Sequence, residues 1–283
     1  MELQALAKLN LTLDVLGRRE DGYHDMRMVM QSITLSDTLH LRPGSGEGIQ
    51  VSTNMSFLPN SDKNLAAIAA RAFWNARGMD HQSLDIDIEK HIPVCAGMAG
   101  GSSDAAAVLR GLNEQAGFPY TPVELAKVGE AVGSDVPYCV LGGTALAEGR
   151  GEILTPLTPL PHCYVVVCKP DFSISTPELF AQIDNVKVRC RPDTAGVLAA
   201  LEAGDLEGVA RRLYNVFEDV LPERQKSRVE AIKRVLIQYG ALGAAMSGTG
   251  PTAFGLFAEQ AQAQAAYDIL SKEYQETYLA ETV

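Results

Sequence analysis

An α+β fold with two sub-domains is what this chain of 283 residues predicts, and three observations carry that expectation. Strand-like and helix-like segments intermix in both halves of the chain. A proline-bearing stretch, 155–161, lies between the halves as a domain joint. The length suits one large or two medium domains with ample surface to bury. The expected division is 1–158 and 159–283.

Residues 3–15 (LQALAKLNLTLDV) alternate apolar and polar, the pattern of a strand. Leu9, Leu11 and Leu13 then share one face, and Lys8, Asn10 and Thr12 the other. A polar segment, 17–25, holds Asp21-Gly22-Tyr23-His24 and leads to more strand over 26–42. The spacing predicts helix over 63–77 with Gly78 past its end, then strand over 84–90, where LDIDIEK alternates strictly. After a glycine-rich stretch, helix is expected from Ser102 or Ser103 to about Ala116, with Gly117 in the left-handed position beyond it.

Thr121-Pro122-Val123-Glu124 opens the next helix with a capping box and proline at the first helical position. Gly133-Ser134-Asp135-Val136-Pro137 is a short polar interruption between apolar runs. Two or three strands fill 143–168, the last being the apolar run 164–168. A helix capped near Ser175 or Thr176 follows, then two or three amphipathic helices over 194–239. Residues 241–257 read as strand, glycine turn, strand, before a terminal helix and a short final strand.

Composition narrows the function classes. A hydrophobic content of 46% with 21% charged residues is ordinary for a soluble globular protein. No run approaches the apolar length of a membrane span, and the N-terminus lacks a signal-peptide pattern. The formal charge of -11 argues against nucleic acid and anionic membranes as partners, since both need a basic face. Five cysteines, an odd count without a C-x-x-C pair, point to reduced thiols in a cytoplasmic protein.

The stretch IPVCAGMAGGSSDAAAVL, 92–109, is the densest in information. Gly100 and Gly101 let the backbone fold closely around a ligand. The helix that follows starts with unpaired N–H groups and a partial positive charge, which suits a phosphate. A plain turn with a serine cap is the alternative, but one cap does not call for so many small residues before it. The loop is not a Walker motif, because Gly101 runs into Ser102 without a lysine, and its glycine spacing does not fit the dinucleotide fingerprint. The candidate binding residues are Pro93, Val94, Cys95, Ala96, Gly97, Met98, Ala99, Gly100, Gly101, Ser102 and Ser103.

Four segments together resemble one family: AKLNLTLDVLGRREDGYH (7–24), IPVCAGMAGGSSDAA (92–106), GSDVPYCVLGGTALAEGRGE (133–152) and MSGTGPTAFGLF (246–257). Their order and separation are similar to those of the GHMP kinase superfamily, named for galactokinase, homoserine kinase, mevalonate kinase and phosphomevalonate kinase. The DGYH and SDVP elements mark the branch that acts on a cytidyl diphosphate sugar alcohol. Ala96 and Ala99 stand where some relatives have glycine, and both are small.

The resemblance implies a two-lobed fold: an N-terminal part like the second domain of ribosomal protein S5, with a left-handed βαβ crossover, and a C-terminal ferredoxin-like α/β sandwich. It implies transfer of the γ-phosphoryl of ATP, with Mg²⁺, to a hindered tertiary hydroxyl of a small-molecule substrate. Asp135 is then the candidate base and Lys8 the cation beside it, treated as one unit. Asn10 is expected to contact substrate hydroxyls or phosphates. Tyr23, His24 and Phe180 surround the cytosine ring, the aromatics stacking and His24 offering hydrogen bonds. No metal ligand is assigned, Ser102 and Ser103 being equal candidates through a hydroxyl or a water. The turn Ser247-Gly248-Thr249-Gly250-Pro251 shapes the cleft floor or supports the phosphate loop.

Overall fold

The computed structural model describes residues 1–44, 46–60 and 62–283. Packing divides the chain into two compact units, neither continuous in sequence. One comprises Met1–Ala7, Ser36–Ile92 and Ala99–Gly142, the other Lys8–Leu35, Pro93–Met98 and Gly143–Val283. This division falls elsewhere than 158/159. The two long early strands, β1 (Glu2–Arg18) and β2 (His24–Pro43), each run from one unit into the other, which no single cut in the sequence can describe.

In the first unit, β3 (Ile49–Thr53) and β4 (Leu84–Glu89) run parallel, joined through α1 (Leu65–Ala76). The second half of β2 pairs antiparallel with β4, from Thr38↔Glu89 to Pro43↔Leu84. Helices α2 (Gly100–Gln115), α3 (Pro122–Gly129) and α4 (Val136–Leu141) complete it. The LDIDIE alternation turns Leu84, Ile86 and Ile88 into the core, where they meet Leu39 and Leu41 of β2. Alanines at 66, 67, 69 and 70 of α1 and at 105–107 of α2 let these helices approach closely. Burying each Leu or Ile side chain contributes about 1.5–3 kcal/mol. The capping box of α3 forms as expected: Thr121 Oγ1 accepts from Glu124 N at 3.3 Å, and Glu124 Oε2 accepts from Thr121 N at 2.8 Å. Such a cap contributes about 1 kcal/mol.

In the second unit, β5 (Thr144–Gly149) pairs with the first half of β2 and forms a hairpin with β6 (Ile153–Pro156). A two-residue strand, β8 (Tyr214–Asn215), lies parallel to β1 at Thr12 and Leu13. A separate antiparallel sheet holds β7 (Tyr164–Lys169), β9 (Gly243–Met246), β10 (Ala253–Phe257) and β11 (Glu276–Glu281) in the order β11-β7-β10-β9. Helix α8 (Glu223–Gln238) precedes β9 and α9 (Gln260–Leu270) precedes β11, each packing on this sheet. Counted within the sheet, the spatial order is fourth, first, third, second, which is the ferredoxin-like arrangement expected. Helices α5 (Thr176–Asp184), α6 (Thr194–Glu202) and α7 (Leu206–Ala210) occupy the connection from β7 to β8.

Four features depart from the sequence reading. Strand β3 sits in a polar, glycine-containing region whose single short alternation carries little signal. The stretch 133–137 is not merely an interruption: it feeds α4, with Pro137 in the first turn. Between α7 and α8 come β8 and a 3-10 helix (Val216–Val220), both too short for a periodic pattern. Finally, α2 starts at Gly100, ahead of both serines. Among the described residues no helix is long and apolar enough to cross a membrane, and none of the five cysteines is in a disulfide.

Candidate active site

The glycine-rich loop is held backbone against backbone. Gly97 has φ +73°, and a Cβ there would stand 2.1 Å from the carbonyl oxygen of Ser247, so only glycine fits. Ser247 Oγ donates to Gly97 O at 2.9 Å and accepts from Asn10 N at 3.3 Å. Lys8 N donates to Met98 O at 3.2 Å. The Ser247–Pro251 turn therefore supports the loop, one of the two roles open to it. Cys95 (φ 53°) and Ala99 (φ 59°) also adopt the left-handed conformation that bulkier residues avoid.

Ala99 is the residue before α2, and no side chain caps this helix. The helix start expected at Ser102 or Ser103 is corrected: the left-handed turn at Ala99 starts the helix at Gly100 and leaves both serines inside its first turn. Ser103 Oγ instead donates to Leu6 O at 2.5 Å. The first amide in the helical ladder is Ser103 N, which donates to Ala99 O at 2.8 Å. The N–H groups of Gly100, Gly101 and Ser102 are outside that ladder, as a helix N-terminus for an anion requires.

Beneath this helix start lies a buried ionic cluster that the sequence reading missed. Lys90 Nζ donates to Asp37 Oδ2 at 2.5 Å and to Asp104 Oδ2 at 2.7 Å. Asp37 Oδ1 accepts from His91 N and Ile92 N at 2.6 and 2.8 Å, which fixes the chain entering the loop. A Cβ on Gly100 would stand 3.3 Å from Lys90 Nζ. Burial alone lowers the Lys90 ammonium, but the two carboxylates outweigh it and hold it above its ordinary value. Burial pushes Asp104 up to about 7, with Lys90 opposing and the Asp37 charge adding to the rise. A signal was present: in LDIDIEK, Lys90 shares the inward parity of Leu84, Ile86 and Ile88, and an inward lysine needs a counter-charge.

Lys8 and Asn10 come together on the polar face of β1, with Lys8 Nζ donating to Asn10 Oδ1 at 2.6 Å. That face is buried, so Lys8 is not a solvated strand lysine. Asp135 sits at the residue before α4, half-buried, and its carboxylate makes no capping hydrogen bond. Lys8 and Asp135 belong to different units.

Tyr23, His24 and Phe180 fall in one unit. His24 stacks on Phe180, with ring centroids 4.5 Å apart and planes 24° apart. Phe180 is in turn held edge-on by Phe217 at 5.0 Å and 86°. His24 Nε2 lies 2.7 Å from Asp184 Oδ1, so one of its two ring nitrogens already has a partner. Tyr23 is exposed, and the Arg150 guanidinium lies over its ring, 5.1 Å from the centroid. Asp184 and Arg150 were not foreseen, because neither position stands out in sequence.

Comparison with known proteins decides the family. The description "GHMP kinases N terminal domain" matches residues 64–143, and "GHMP kinases C terminal" matches 197–276. The chain belongs to the GHMP kinase family. This GHMP kinase is 43% identical over 282 residues to the 4-diphosphocytidyl-2-C-methyl-D-erythritol kinase of Alkaliphilus metalliredigens (strain QYMF), covering 100% of this chain and 96% of that protein. It is 42% identical over 283 residues to the protein of the same name from Clostridium tetani (strain Massachusetts / E88), with both chains covered in full at 100%. A crystal structure of 4-(cytidine 5'-diphospho)-2C-methyl-D-erythritol kinase superposes with a TM-score of 0.82 at 31% identity, covering 100% of this GHMP kinase and 99% of that chain.

Proposed function

We propose that this GHMP kinase transfers the γ-phosphoryl of ATP to the 2-hydroxyl of 4-diphosphocytidyl-2-C-methyl-D-erythritol, giving the 2-phosphate and ADP, a step of isoprenoid precursor synthesis in the cytoplasm. The single observation that carries this reading is the end-to-end similarity to enzymes of that name, at 42–43% identity. The aromatic cluster at Tyr23, His24 and Phe180 suits a pyrimidine, whose flat faces stack on aromatic rings.

Phosphoryl transfer asks the protein chiefly for positioning and for neutralising charge. The unpaired amides at the start of α2 and the loop 93–103 hold the triphosphate. Lys8, kept rigid by Asn10, places an ammonium for charge developing on the transferred group. Asp135, a carboxylate with no cap to satisfy, takes the proton of the attacking hydroxyl. Asn10 spends Oδ1 on Lys8 while its Nδ2 lies 3.3 Å from Met28 Sδ, a weak acceptor that leaves it free to turn to substrate oxygens.

Magnesium fits the donor set. Mg²⁺ keeps several waters and substrate phosphates and needs only one or two protein oxygens. Ser102, half-buried in the first turn of α2, has its hydroxyl free among the described residues, whereas Ser103 Oγ is committed to Leu6 O. Ser102 would hold the ion, directly or through water, and the ion would supply charge neutralisation at the phosphates.

The test is an ADP-release assay with Mg·ATP against a panel of the cytidyl diphosphate alcohol, mevalonate, homoserine and galactose. Turnover of the cytidyl compound alone is expected. Turnover of mevalonate or homoserine alone would replace the reading with another kinase of the same family.

A further inference from the structure

We propose that Asp184 is a positioning residue that sets base selectivity through His24. By accepting a hydrogen bond from Nε2, it fixes the imidazole tautomer whose Nδ1 carries a lone pair. The site then takes a base with an amino group at ring position 4 and turns away one with a carbonyl there. The inference rests on the cytidyl substrate reading above and names the residue behind its choice of base.

An ionised carboxylate accepts hydrogen bonds and donates none. At 2.7 Å between His24 Nε2 and Asp184 Oδ1, the proton therefore sits on Nε2. In the neutral ring the other nitrogen is then an acceptor. Nδ1 has no partner among the described residues and is not among their sealed, unsatisfied polar atoms, so a ligand can reach it.

The ring is not free to escape this arrangement. Its face lies on Phe180, itself braced by Phe217, and only 9% of the His24 side chain is exposed. A half-turn of the ring would set a carbon against the carboxylate and forfeit the hydrogen bond. Phe180 and Asp184 are four residues apart on α5, so one helix face supplies both the stacking ring and the carboxylate. Arg18 Nη1 lies 3.7 Å from Asp184 Oδ2, so the second carboxylate oxygen is held by an ion pair while the first faces the imidazole.

A cytosine attached through N1 offers one donor on its edge, the N4 amino group; N3 and O2 are acceptors. An acceptor at Nδ1 therefore meets N4. Uracil in the same pose brings O4, so two lone pairs face each other and neither is satisfied.

Two measurements test this, each on the wild type and on Asp184→Ala, a substitution at a partly exposed position. The first is ¹⁵N NMR of His24 at pH about 8, above the ordinary imidazole range. The wild type is expected to show protonated Nε2 and unprotonated Nδ1, and the variant a mixture of tautomers. The second is kcat/KM for the cytidine and uridine diphosphate forms of the alcohol. The cytidine-to-uridine ratio is expected to fall at least about tenfold in the variant while the KM for ATP stays constant, since the lost discrimination is one hydrogen bond. A wild-type ring protonated on Nδ1 would overturn the proposal, as would an unchanged ratio. Wild-type turnover of neither nucleotide would sink the substrate reading instead, with the NMR result still reporting on Asp184.

Discussion

Asp135 and Tyr23 carry the most exposed claims at the scale of single residues. A half-buried carboxylate that makes no capping bond at its helix suits the base role proposed for Asp135, and the isosteric amide would remove that base with little change of shape. Asp135→Asn is expected to lower kcat by about 100-fold or more while the KM for ATP stays within a few-fold. Steady-state kinetics check this, and near-wild-type turnover would take the base role away from Asp135. Tyr23 lies under Arg150 and is exposed, so its removal costs the fold little. Tyr23→Ala is expected to raise the KM for the cytidyl substrate several-fold and leave that for ATP alone. An unaltered substrate KM would place Tyr23 outside the pocket.

At the scale of elements, the loop 93–98 and the turn after β9 behave as one object. Gly97 and Ser247 touch through their backbones, and the Ser247 hydroxyl ties the loop to Asn10 N of β1. A methyl group at 97 meets a carbonyl at 2.1 Å in a conformation that L-residues rarely adopt, so the loop has to move. Gly97→Ala is accordingly expected to raise the KM for ATP at least about tenfold, with a smaller change in the KM of the acceptor. Equal changes in both constants would indicate a general loss of structure. The elements also show what a sequence makes legible. Strands β1, β2 and β4 and helices α1 to α3 announce themselves through alternation, alanine-rich periodicity and a capping box. Strand β3, α4 and β8 span five, six and two residues, too short for any period to accumulate. The start of α2 lies earlier than expected for a different reason: the chain enters the helix through a left-handed Ala99 with no capping side chain, and propensity gives no hint of that.

For the molecule as a whole, the Lys90 cluster links global stability to pH. Burial raises the Asp104 carboxyl to about 7 in the folded state, against about 3.9 in an unfolded chain. Between those values the folded protein holds a proton that the unfolded chain releases. The associated stability is complete below about pH 4 and is lost as pH climbs through about 7. Asp104→Asn should abolish that component. The unfolding free energy of the wild type relative to the variant, from urea titrations, is expected to fall between pH 5 and 7.5. A pH-independent difference would show that Asp104 does not titrate there.

The linear order of residues determined the α+β class and the family, and it singled out the glycine-rich loop and the main candidate side chains, because each depends on local pattern or on short motifs. Which distant residues meet was beyond it. That His24 faces Asp184, that Lys90 lies between Asp37 and Asp104, and that Ser247 holds Gly97 follow from packing across 160, 53 or 150 positions. Such contacts leave no periodic trace, since the cost of an unpaired buried charge or a clashing Cβ exists only once the chain has folded.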